Sequence, residues 1–233
     1  MNTTTMNYSC LLFDADETLL DFKKAEARAI CETFRRHDLA FNETILHTYS
    51  EINQRYWKEF EQGRLDKPTL LIERFRRLFQ VLSLNADPHQ VRLTYQEELG
   101  LGAYWKPGAK ELLQMLRDSG CYQIYIVTNG VSVTQHSRFA LCGLDQLSDD
   151  VFVSEDIGYQ KPKPEYFSCV FERIPGFRKE RTLLIGDSLT ADIAGGIAAG
   201  IDTCWYNPGH QPCPQDCLPT YEIDEISLLQ TIL

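Results

Sequence analysis

Short apolar runs, separated by helical patterns, constrain this chain more than any other feature. The runs are SCLLF (9–13), YQIYIVT (122–128), VFVS (151–154), RTLLIG (181–186) and DTCWY (202–206). Each has the length and the β-branched or aromatic content of a buried strand. Between them the pattern is helical: Leu112, Met115 and Leu116 form a stripe that Gly120 can stop, and helices fit at about 132–141, 164–173 and 190–199, with a terminal one at 225–232. Strands alternating with helices predict an α/β chain built on a doubly wound parallel sheet with helices on both faces, three layers in all.

The first run stands apart from the others. From Phe22 to about Gly100 there is no good strand candidate, only helical stripes: Phe22, Ala25, Ala29, Ile30 and Phe34; then Ile45, Tyr49, Ile52, Tyr56 and Phe60; then Leu71, Phe75, Leu78, Phe79 and Leu82 after Pro68. The expectation is therefore a discontinuous α/β core, 1–21 and 101–233, interrupted by a helical cap over 22–100.

Composition narrows the partners. The chain has 233 residues and a formal charge of −10, with 43% hydrophobic and 24% charged residues, which is globular rather than disordered. An acidic chain is a poor partner for nucleic-acid backbones and anionic membranes. No apolar run approaches the ~20 residues of a membrane span, and the polar start MNTTTMNYS is not a signal peptide. Eight scattered cysteines, several of them in strand-like runs, read as reduced thiols of a cytoplasmic protein. His210, Cys213 and Cys217 in GHQPCPQDC lack a convincing fourth zinc ligand, so a proline-rich surface loop is favoured over a metal site.

In open parallel sheets, ligands bind beyond the carboxyl ends of the strands. Just past the first run come Asp14 and Asp16; past the second, Thr128, Asn129 and Gly130; past the third, after a short loop, Lys161; past the fourth, Asp187 and then Asp192. Two carboxylates ~4 Å apart repel by about 4 kcal/mol at an effective dielectric near 20. Acids gathered on one edge therefore call for a cation. With only carboxylate and carbonyl oxygens on offer, a hard divalent ion is expected, Mg²⁺ before others.

The same residues carry a family resemblance. DADET (14–18) is similar to the Asp-x-Asp-x-Thr signature of haloacid dehalogenase-like hydrolases of the phosphatase type. VTNG, the lysine of QKPKPEYF and GDSLTAD resemble the second, third and fourth motifs of that superfamily, in order and each after an expected strand. The resemblance covers nearly the whole chain, and the insert sits where the superfamily's helical cap sits on its Rossmann-like core. It implies that Asp14 is the nucleophile, forming an aspartyl-phosphate, and that Asp16 is the general acid and then the general base. It implies that Thr128 and the backbone N–H of Asn129 hold phosphoryl oxygens and that Lys161, rather than Lys163, neutralises charge. It implies a Mg²⁺ site made by Asp14, Asp16 (through its backbone carbonyl) and Asp187. Asp192 would orient the metal's surroundings or simply cap its helix. Asp16 argues against carbon–halogen hydrolysis, which needs no proton donor for a leaving oxygen.

Other residues are read more plainly. Glu17 is solvent-facing or a local hydrogen-bond partner, and Thr18 shapes the turn. ERFRR (73–77) is the wet side of a cap helix whose Phe75 and Phe79 point inward. GGIAAG (195–200) does not fit a dinucleotide loop and suits close helix–sheet packing. FDADETLLDF with INQRYWKEFEQG (52–63), and ADIAGGIAAGIDTCWYNPG, resemble the pyrimidine nucleoside monophosphate 5′-nucleotidases of the superfamily. That implies a small phosphorylated substrate such as UMP, dUMP, TMP or a modified analogue, with Tyr56 and Trp57 either stacking on a base or packing in the cap. Phosphatase activity on a sugar or acid phosphate, phosphomutase activity and a catalytically idle binding role stay open from sequence, and the residues are silent on oligomeric state.

Overall fold

The computed structural model describes residues 7–233; most of the polar N-terminal stretch read above lies outside them. Six parallel strands form one sheet in the order β3-β2-β1-β4-β5-β6. They are β1 (Cys10–Phe13), β2 (Gln123–Thr128), β3 (Asp150–Val153), β4 (Thr182–Gly186), β5 (Asp202–Tyr206) and β6 (Tyr221–Ile223). The first five coincide with the expected runs to within a residue or so. β6 was not foreseen: at three residues it has no readable period, and it forms because it can pair with β5.

The alternation of side chains along β1 builds the layers. Leu11 and Phe13 face one side with Leu112, Leu113 and Leu116 of α5 (Ala109–Ser119). Phe139 of α6 (Ser132–Cys142) and Leu144 and Leu147 of the short α7 (Leu144–Leu147) lie on that side too. Cys10 and Leu12 face the other side, toward Tyr166, Phe167 and Val170, which belong to α9 (Pro164–Arg173). Between these, α8 (Ser154–Ile157) is a single turn after β3. The expected helix at 190–199 is a π-helical turn over Leu189–Ile193 running into α10 (Ala194–Ala199). Ser188 caps that turn by accepting from the Ala191 N–H, and the wider winding brings Asp192 back over the end of β4. Gly196 in α10 allows the close packing read from GGIAAG, since a Cβ there would meet Thr203 Cγ2 at 2.4 Å. The terminal segment forms a 3-10 helix over Ile226–Thr231 rather than an α-helix.

Four helices follow β1: α1 (Phe22–Arg36), α2 (Glu43–Glu61), α3 (Lys67–Leu82) and α4 (Pro88–Gly100). Asp21, Asn42, Asp66 and Asp87 cap their N-termini by accepting from Lys24, Ile45, Thr69 and His89 N–H groups. α4 has only a thin apolar stripe of Val91, Tyr95 and Leu99, which is why it was not singled out in the sequence; those residues complete a core with Ala29, Phe34, Tyr49 and Phe75. One expectation fails here. Arg74 of the basic run is not on the wet face but buried, donating to Asn53 Oδ1 (2.7 Å), while Asn53 in turn donates to the buried Glu26 (2.7 Å). A ready-made polar chain inside the bundle lets an arginine occupy an inward position, and Arg76 and Arg77 remain exposed.

All eight cysteines are free thiols. Cys213 and Cys217 contact backbone carbonyls, of Cys217 (3.3 Å) and Leu189 (3.5 Å). Among the described residues they form no metal-sized grouping with His210. No described helix is long and apolar enough to cross a membrane.

Candidate active site

β1 lies between β2 and β4, with Phe13 level with Ile126 and Ile185. The next residue, Asp14, donates its N–H to the Ile185 carbonyl (2.8 Å), so its side chain leaves the sheet between the ends of two neighbours. Lys161 reaches it from the loop after β3 and α8. Its ammonium donates to Asp14 Oδ1 (2.7 Å), Asp192 Oδ1 (2.6 Å) and the Val127 carbonyl (2.8 Å). Lys163 caps α9 and is exposed, so of the two lysines only Lys161 reaches the acids. Asn129 holds that lysine by a two-way clasp: its amide donates to the Lys161 carbonyl and its oxygen accepts the Lys161 N–H, both at 2.9 Å. Thr128 is buried, its hydroxyl oxygen accepting from the Gly130 N–H (3.1 Å) and from Gln135 (2.9 Å).

Asp187 follows β4, its carbonyl accepting from the Trp205 indole (2.9 Å). Thr18 lies with its hydroxyl 3.3 Å from Asp14 Oδ2 and 3.4 Å from Asp187 Oδ1, so it does more than shape the turn. Glu17 is a local partner, accepting from Lys106 (2.9 Å) and from the Lys23 N–H (3.0 Å).

Carboxylate oxygens of Asp14, Asp187 and Asp192 lie within 4.8 Å of one another. Burial pushes Asp14 up to about 7, with Lys161 pulling it down and Asp192 pushing it further up. Burial and then the charges of Asp14 and Asp192 hold Asp187 well above the usual carboxylate range. Burial works to lower Lys161, but Asp14 and Asp192 outweigh it and keep the ammonium charged. One ammonium among three acids leaves buried negative charge uncompensated, which is the electrostatic setting a divalent cation fits. The three differ in their partners. Asp192 accepts from Lys161 and from the Ser188 N–H (3.1 Å), and Asp14 from Lys161 with the Thr18 hydroxyl near its other oxygen, whereas Asp187 has only the long Thr18 contact and is the freest to ligate an ion.

The carboxylate of Asp16 does not join this cluster. It turns to α6, where Oδ1 accepts from Arg138 Nη1 (2.6 Å) and Oδ2 from Gln135 Nε2 (2.9 Å). The sequence did not single out these two partners. A pair three residues apart on the helix opening after TNG was the available signal, since that spacing puts both side chains on one face.

The bundle meets the site on both flanks of the turn between α2 and α3. Glu61 accepts from Ser188 Oγ (3.2 Å) and from Thr190 Oγ1 on the loop that carries Asp187. Lys67 donates to the Gly130 carbonyl (2.9 Å) and to Ser154 Oγ (2.8 Å) beside the Thr128 loop. Trp57 and Tyr56 are half-buried against Phe60, Leu70 and Leu71, and Val131 joins the same apolar group. A seam cavity of about 520 Å³, lined by Phe60, Arg64, Lys67, Ser154, Tyr159 and Lys163 among others, includes none of Asp14, Asp16, Asp187 and Asp192.

A parallel sheet with clustered carboxylates at its carboxyl edge, and a helical insert after the first strand, matches a known family. The chain belongs to the haloacid dehalogenase-like hydrolases, whose sequence model matches residues 8–200. It is 44% identical to the HAD-hydrolase YfnB of Bacillus subtilis over 97% of this chain and 95% of the relative. The crystal structure of YfnB bound to magnesium, described as revealing interdomain movement, superposes with a TM-score of 0.93 over 97% of this chain and 99% of that one. It is 39% identical to the pyrimidine 5′-nucleotidase PynA of Streptococcus pneumoniae (94% and 92% covered) and 29% identical to the pyrimidine 5′-nucleotidase YjjG of Escherichia coli (98% and 99% covered).

Proposed function

We propose that this chain is a cytoplasmic, magnesium-dependent phosphomonoester hydrolase that works through an aspartyl-phosphate on Asp14, with pyrimidine nucleoside 5′-monophosphates as substrates. The observation that carries the chemistry is the meeting of Asp14, Lys161 and Asp187 at one sheet edge. The relatives named pyrimidine 5′-nucleotidases, which align over almost their whole length, support the substrate class; the magnesium held by YfnB supports the metal.

Asp14 attacks phosphorus and the P–O bond to the ester oxygen breaks. Asp16 gives its proton to the departing alkoxide, then takes one from the water that cleaves the acyl phosphate, releasing inorganic phosphate and restoring Asp14. Lys161 neutralises the charge gathered on Asp14 and the phosphoryl group, held in place by Asn129. The Thr128 hydroxyl and the Asn129 N–H receive phosphoryl oxygens. Magnesium, when bound by Asp14, Asp187 and the Asp16 backbone carbonyl with Asp192 orienting the group, supplies electrostatic stabilisation of the transferring phosphoryl. The helical bundle closes over the edge and excludes water.

A steady-state panel of nucleoside monophosphates, sugar phosphates and phosphorylated acids with Mg²⁺ tests the proposal. Pyrimidine nucleotides should lead in kcat/KM by about tenfold or more, and chelation should abolish phosphate release. Leadership by sugar or purine esters contradicts the substrate class. Release that persists in EDTA contradicts the metal.

A further inference from the structure

Asp16 sits in a cradle that the chemistry above does not by itself require. Both carboxylate oxygens accept from buried side chains of α6, Arg138 and Gln135, which are 0% and 1% exposed. Those two also bind each other, Arg138 Nη1 donating to Gln135 Oε1 (2.8 Å), and Gln135 donates with the same amide to Thr128 Oγ1 (2.9 Å). The seat is closely packed: a Cβ on Gly130 would meet Gln135 at 2.5 Å.

The second end of Arg138 gives the cradle its significance. Its Nε donates to the carbonyl of Gly102 (2.8 Å), on the segment by which the chain returns from the helical bundle to the sheet. Asp16 lies on the segment by which it leaves. The two segments are laced together, the Asp21 N–H donating to the Tyr104 carbonyl and the Lys106 N–H to the Leu19 carbonyl, both at 2.8 Å. α6 is fastened to the same return path by Ser137 Oγ donating to the Gly100 carbonyl (3.0 Å) and Thr134 Oγ1 to Gln96 Oε1 (2.7 Å). A planar guanidinium can serve two such partners in a fixed geometry; an ammonium on a flexible stem cannot. Resting on the assignment of Asp16 as acid–base residue, we propose that Arg138 and Gln135 are positioning residues for Asp16, and that Arg138 couples its placement to the cap's return segment.

The test separates positioning from general support by leaving group. A nucleoside 5′-alkoxide needs a proton to depart, whereas p-nitrophenolate does not, and kcat/KM reports only the steps up to departure. Arg138→Gln and Arg138→Lys should lose about 100-fold in kcat/KM on UMP and less than about tenfold on p-nitrophenyl phosphate, with lysine failing to rescue. Gln135→Leu should show a smaller split in the same direction; it removes no charge and carries the test if replacement of the buried arginine prevents folding, as thermal melting will show. Equal losses on the two esters, no loss, or full activity in Arg138→Lys overturns the proposal. Asp16→Asn is run alongside: a split there without one in the Arg138 and Gln135 variants overturns the cradle alone, whereas no split in Asp16→Asn overturns the acid–base assignment with it.

Discussion

The sheet edge and the helical bundle solve different problems with the same side-chain types. At the edge, Asp14, Lys161 and Asp192 are buried, the Lys161 ammonium donating to Asp14 (2.7 Å) and to Asp192 (2.6 Å), and Asp14 is fixed at the end of β1 between β2 and β4. In the bundle, charged groups reach the site's loops from the turn between α2 and α3, Glu61 on the Asp187 loop and Lys67 on the Thr128 loop. Preorganised electrostatics belongs in the first arrangement, where dipoles and charges need not move during reaction. Contacts that form and break as a lid moves belong in the second. Under the proposed function the edge carries the chemistry, and the bundle decides what is admitted and when.

Variants can break this contrast, the strongest at the edge. Asp14→Asn should lower turnover by 10⁴-fold or more, on the order of other removed nucleophiles, with unchanged bundle packing; residual activity above that level breaks the assignment. Lys161→Met strands two buried acids, and should cost about 3–5 kcal/mol of stability in denaturant melts besides the loss of activity.

Metal and pH sharpen the edge's side of the comparison. Asp14 and Asp187 titrate above their unfolded values, so the stability they contribute is fully present below about pH 4 and lost as pH rises through about 7 for Asp14. Without metal, the melting temperature should therefore carry a falling component across that window. Mg²⁺ at about a hundredfold over its Kd should restore on the order of 5–10 °C near neutral pH and flatten the slope. A metal-free profile that rises through the window contradicts the burial of these acids.

The bundle's contribution should be smaller. Glu61→Gln weakens a charge-assisted contact to Ser188 and Thr190, and should lower kcat/KM about tenfold, with most of the change in KM and little in the melting temperature. A loss as large as that of Lys161→Met would show that the bundle carries chemistry after all.

The same contrast explains what was legible in the sequence. Buried parallel strands are continuous apolar runs, so five of them could be read directly, and the residues just beyond them followed from where parallel sheets bind ligands. Lys161 could be preferred over Lys163 by motif alone, but its clasp by Asn129 could not, because that bond joins loops 32 residues apart. The partners of Asp16 lie 119 and 122 residues away, and only the register of β1 against β2 brings α6 to it. Arg74 was misread because helical periodicity assigns a face without knowing that Asn53 and Glu26 wait inside. The π-helical turn at Leu189–Ile193 has no compositional mark; it follows from Asp192 binding back to the Ser188 N–H.

The most direct measurement is single-turnover hydrolysis of UMP in heavy-oxygen water with excess enzyme, followed by proteolysis and mass spectrometry of the peptide containing Asp14. Attack of water on an aspartyl-phosphate, at phosphorus, places the solvent oxygen in the phosphate and leaves the Asp14 carboxylate unlabelled, while borohydride quenching during turnover converts Asp14 to homoserine. Homoserine at residue 14 is the expected result. Solvent label in the phosphate with no trapped residue at 14 under conditions that capture a known acyl phosphate, or trapping at another acid, contradicts Asp14 as the nucleophile.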